Sequence, residues 1–119
     1  MAKSVLIVSR AAPWAGLSAR EALDIALAGG AYELPLAMLF MDDGVFQLLD
    51  HQQPEALEQK NLSANLQALP LFGIDALFAC TDSLAERGLV SEHLALNVSL
   101  LPANNLAALF NRFDEVITL

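Results

Sequence analysis

The chain has 119 residues, of which 55% are hydrophobic, and six bases against fourteen acids give it a net charge of −8. The six bases are scattered singly, whereas nucleic-acid binding draws most of its affinity from clustered Lys and Arg, so the composition argues against direct binding to RNA or DNA. No apolar run approaches the ~20 residues of a membrane span, and we expect no membrane-embedded segment.

Length and cysteine content indicate the number of domains and the cellular compartment. This length is typical of one domain, and we expect a single domain over residues 1–119. Cys80 is the only cysteine and cannot form an internal disulfide, and no secretory pattern follows Lys3, so we expect a soluble cytoplasmic protein. Because a small domain buries only about two thirds of its surface, the apolar content predicts association with itself or with sister subunits.

The amino-terminal part of the chain predicts a strand followed by a helix. Residues 3–9 form a short β-branched apolar run, which is typical of a strand buried on both faces. Ser18 and Glu21 have the spacing of a capping box, which predicts a helix from Ser18 to about Ala28. The pair at 29–30, Gly-Gly, is predicted to end that helix.

The middle of the chain predicts a second strand and a second long helix. Residues 35–41 are an apolar run that Asp-Asp-Gly at 42–44 stops, and VFQLL follows at 45–49. Leucines near helical spacing predict a helix over 55–69, which Pro-Leu-Phe-Gly at 70–73 ends.

The carboxy-terminal part predicts further alternation. Residues 75–81 read as a third strand, and Ser83 with Glu86 forms a second capping box that opens a short helix. The remaining predicted elements are an edge strand over 94–101, a helix over 103–113 begun by Pro102, and a closing strand over 114–119.

Strands that alternate with helices predict an α/β fold. We expect a three-layer α/β/α arrangement around a mostly parallel five-stranded sheet. In such sheets ligands bind beyond the carboxyl ends of the strands. Residues 10–17, 42–47 and 80–83 lie at that edge in this prediction.

Most signatures of catalysis or cofactor binding do not occur. No glycine-rich phosphate loop is present, and a phosphorelay receiver would need acids and a lysine that the strand ends lack. His51, His93 and Cys80 are not spaced as metal ligands, and Asp42-Asp43 is more typical of a turn or cap than of a cation site. We therefore expect no metal and no cofactor.

Cys80 leaves two interpretations open. Free cysteines are among the most buried residues and pack as small hydrophobes. A sulfur-relay cysteine instead needs an exposed thiolate that attacks a persulfide, and the nearby charge of Asp82 would oppose that thiolate. His93 is placed toward the opposite edge of the sheet, which argues against a cysteine hydrolase. A third hypothesis is a small-molecule domain whose pocket Arg10 and Asp43 line.

Three segments together resemble one family. SAREALDIALAGG at 18–30, LFMDDGVFQLL at 39–49 and LFACTDSLAERGL at 77–89 are similar to the TusC/DsrF subunits of the DsrEFH-like sulfur-relay proteins, in the same order along the chain. DGVFQLL is the most specific of these elements.

The resemblance implies a role in 2-thiolation of the wobble uridine of certain tRNAs. It implies a heterohexamer with sister B- and D-type subunits, which takes sulfur from a TusA-like donor and passes it to a TusE-like acceptor. Cys80 stands at a position similar to the sulfur-bearing cysteine of the D-type subunit, which makes it the candidate catalytic residue. The C-type subunit is read as one that builds the assembly, and the alternative is an autonomous persulfide carrier that uses Cys80.

Overall fold

The computed structural model describes residues 3–12, 16–32, 35–48, 66–74, 76–90, 94 and 98–119. The strands of its sheet are β1 (Val5–Ser9), β2 (Leu36–Phe40), β3 (Leu77–Cys80), β4 (Ser99–Leu101) and β5 (Glu115–Thr118). The helices are α1 (Ser18–Ala31), α2 (Thr81–Glu86), α3 (Leu106–Phe110) and the 3₁₀ helices Asp42–Leu48, Leu69–Phe72 and Ala103–Asn105.

The five strands form one sheet in the order β4-β3-β2-β1-β5, and every pairing in it is parallel. This confirms the predicted α/β class. The three central strands are apolar on both faces and almost fully buried, as their uninterrupted hydrophobic runs require. The fourth strand is an edge strand, as predicted, and its described ladder covers Ser99–Leu101, while residues 95–97 of the predicted range lie outside the described residues.

Two apolar clusters, one on each face, make the fold three-layered. On the first face Ile7, Met38 and Leu77 pack beneath α1 and the first two 3₁₀ helices. On the second face Leu6 and Leu39, with alternate residues of their strands, pack beneath α3. Because successive side chains of a strand point to opposite faces, neighbours such as Leu6 and Ile7 belong to different layers.

The predicted end of α1 is wrong. The helix continues through Gly29 and Gly30 to Ala31. A Cβ at Gly30 would stand 2.8 Å from the Phe72 carbonyl oxygen and 2.9 Å from the Ile74 side chain. The glycine is therefore required by close packing against the segment that leads into β3.

Neither predicted capping box forms. No side chain caps the start of α1, and the Glu21 amide donates to the Leu17 carbonyl. In the second case α2 begins at Thr81, directly after Cys80, so Ser83 lies inside the helix. Its buried hydroxyl accepts a hydrogen bond from the backbone N–H of Asp42 instead.

The last predicted helix and strand form with shorter bounds, since α3 ends at Phe110 and β5 covers Glu115–Thr118. Residues 55–65 of the predicted second long helix lie outside the described residues, and a 3₁₀ helix ends at Phe72 with Gly73 at φ 81°. Pro102 precedes the 3₁₀ helix Ala103–Asn105, which leads into α3. Within the described part of the chain no helix is long and apolar enough to cross a membrane.

Candidate functional site

The 3₁₀ helix Asp42–Leu48 ties together the carboxyl ends of the central strands. The Gly44 backbone lies against the Ser9 carbonyl group, where a Cβ would overlap the oxygen and stand 2.8 Å from the carbon. The buried Gln47 amide nitrogen donates to Ser9 Oγ at 2.7 Å and to the Ala11 carbonyl at 2.8 Å. The central residues of the DGVFQLL motif thus hold the end of β1 beside the end of β2.

Asp42 links this 3₁₀ helix to both neighbouring strands. Its backbone has φ 52°, in the left-handed region that Asp tolerates better than most residues. The Asp42 N–H donates to Ser83 Oγ at 2.8 Å, while its Oδ2 accepts from Arg10 Nε at 2.6 Å. One residue therefore connects the chain after β1 with the helix after β3.

Asp43 pairs with a different base. Arg87 Nε donates to Asp43 Oδ1 at 2.9 Å, and Arg87 Nη1 donates to the Ser83 carbonyl at 3.0 Å. Among the described residues no group of three potential ligands could hold a metal ion, and each of these two acids neutralises an arginine. The Asp-Asp-Gly sequence forms the first turn of the 3₁₀ helix Asp42–Leu48.

The hypothesis that Arg10 and Asp43 line one pocket is not supported by the geometry. An open pocket of about 420 Å³ lies beyond the carboxyl ends of β1 and β5, and Arg10, Ala11, Asp42, Thr118 and Leu119 line it. Asp43 is engaged with Arg87 and does not belong to that lining. The adjacent positions of Asp42 and Asp43 in the sequence do not indicate that they pair with two different arginines.

Cys80 lies at the predicted edge of the sheet but points into the core. It is the last residue of β3, and the residue is only 2% exposed. It belongs to the apolar cluster of the second face, with Leu39 and Leu106 among its members. The described chain does not give this thiol the exposure that sulfur transfer requires, and its role as a sulfur carrier stays a prediction.

Asp82 has a structural role that sequence reasoning missed. Its Oδ1 accepts a hydrogen bond from the Ala103 N–H at 2.9 Å and so fixes the turn that leads into α3. Helix α3 contributes residues to the cluster that encloses Cys80. The contact therefore fixes the helix that covers the thiol. The partners are 21 residues apart, and no local pattern indicates such a bond.

The bases form no cluster in the described part of the chain. Lys3 pairs with Glu115 at 3.5 Å, Arg20 with Asp24 at 3.4 Å, and Arg112 stacks over the Phe78 ring at 6.0 Å. Arg10 and Arg87 are paired as described above. Lys60, His51 and His93 lie outside the described residues. The described surface thus offers no basic patch of the kind that grips phosphates.

Known proteins resemble this chain in sequence or in fold. The model of the DsrE/DsrF-like family matches residues 3–119. The chain is 66% identical over 74 residues to the protein TusC homolog of Pseudomonas aeruginosa, which is 62% of each chain. It is 42% identical over 69 residues to the protein TusC homolog of Pasteurella multocida, covering 56% of this chain and 58% of that protein.

A third relative is the intracellular sulfur oxidation protein DsrF of Allochromatium vinosum, 36% identical over 67 residues, or 56% of this chain and 49% of that protein. The matches thus span less than two thirds of each of these three relatives. Among solved structures, the ychN protein of E. coli superposes over the whole of both chains with a TM-score of 0.78 and 25% identity. MTH1491 of Methanobacterium thermoautotrophicum does so with a TM-score of 0.68 and 14% identity, which shows the fold alone.

Proposed function

The chain belongs to the DsrE/DsrF-like family, and from that premise we propose that it is the C-type subunit of a sulfur-relay complex. The complex would support 2-thiolation of the wobble uridine of certain tRNAs. The observation that carries this proposal is the 66% identity to a TusC homolog. The similarity to a sulfur oxidation protein supports the same general chemistry, the handling of sulfur bound to protein thiols.

We propose that the subunit's main task is assembly. Two observations support this role over catalysis. The sulfur atom of Cys80 is enclosed by the second-face cluster, and the residues of the DGVFQLL motif serve to lock strand ends together. An enclosed thiol does not fit the exposed thiolate that sulfur transfer requires, whereas joined strand ends fit a subunit that builds an assembly.

The partners that fit this role are sister B- and D-type subunits in a heterohexamer, with a TusA-like donor and a TusE-like acceptor reaching the complex. Contact with tRNA would be indirect, because the described bases are already paired or stacked and the chain carries a net charge of −8. The cytoplasm is the compartment in which these partners and substrates would meet.

The proposal is tested by deletion and complementation in the source organism, with 2-thiouridine in tRNA measured by mass spectrometry. Deletion should abolish wobble thiolation, and both the wild-type gene and a Cys80→Ser variant should restore it. Co-purification of the Cys80→Ser subunit with its sisters checks that the variant folds. Retained thiolation after deletion would contradict any sulfur-relay role in this modification.

A second candidate function is an autonomous persulfide carrier. The position of Cys80 at the carboxyl end of β3 favours it, because chemistry in parallel sheets is sited at that edge. The Cys80 thiolate would attack the outer sulfur of a donor persulfide, form a Cys80 persulfide and release the donor as a thiolate. In that case Cys80→Ser would assemble normally and still fail to restore thiolation.

A further inference from the structure

We draw no further inference here: the strongest candidate, the open pocket of about 420 Å³ beyond the carboxyl ends of β1 and β5, has no buried polar side chain among the residues that line it, and its base Arg10 already pairs with Asp42, so nothing in the described part of the chain shows which ligand it would take.

Discussion

Gly44→Ala tests whether the DGVFQLL motif is needed to close the strand ends. The added Cβ would overlap the Ser9 carbonyl oxygen and stand 3.2 Å from the Arg10 Cα. These are backbone atoms at the end of a central strand, and they cannot move without disturbing its pairing with β2 and β5. We expect a loss of about 3 kcal/mol in the free energy of unfolding, at the upper end of the range for overpacking.

The assay is urea unfolding followed by circular dichroism at low protein concentration. With a slope of about 2 kcal/mol per molar urea, the substitution should lower the midpoint by about 1.5 M. Gly88→Ala is the matched control, because its Cβ would meet nothing within 4 Å and only its φ of 68° is unfavourable. It should cost about 1 kcal/mol. Equal midpoints for the two variants would refute the argument that close approach, and not backbone conformation, requires Gly44.

Three further predictions concern the same edge of the sheet. Gln47→Leu should lower the free energy of unfolding by about 2 kcal/mol or more, because it leaves the buried Ser9 hydroxyl and the Ala11 carbonyl without their donor. Urea unfolding measures this loss. A loss below about 0.5 kcal/mol, the scale of surface substitutions, would contradict the prediction. Cys80 should react with a thiol reagent about 100-fold more slowly in buffer than in urea, since reaction requires local opening. Asp82→Ala should raise that native rate several-fold by releasing the turn before α3. Equal rates in buffer and urea would show an exposed thiol and favour the persulfide carrier.

The strands and the sheet were predictable because their signal is local and strong. An apolar run such as 35–41 has no solvated face, so it needs cover on both sides, and helices that alternate with such runs supply it. A polar residue such as Ser99 indicates a strand with a solvated face, which fits the edge position of β4. These inferences need only the burial of side chains and no knowledge of which element lies next to which.

The helix ends were predicted less well because their signals are ambiguous without neighbours. Ser83 has the spacing of a cap, yet the Asp42 N–H lies close enough to use its hydroxyl. Gly30 has the position of a helix stop, yet the approach of Phe72 is what requires it. In each case a residue from a distant segment decided which of two local roles the side chain or backbone fills.

The sequence by itself determined the α/β class, the edge of the sheet at which polar residues gather, and the family resemblance. Only the tertiary structure decided that Asp42 and Asp43 pair with two different arginines and that Cys80 is enclosed. The physical reason is that burial patterns follow from consecutive side chains, whereas ion pairs and exposure depend on atoms that folding brings together from far along the chain.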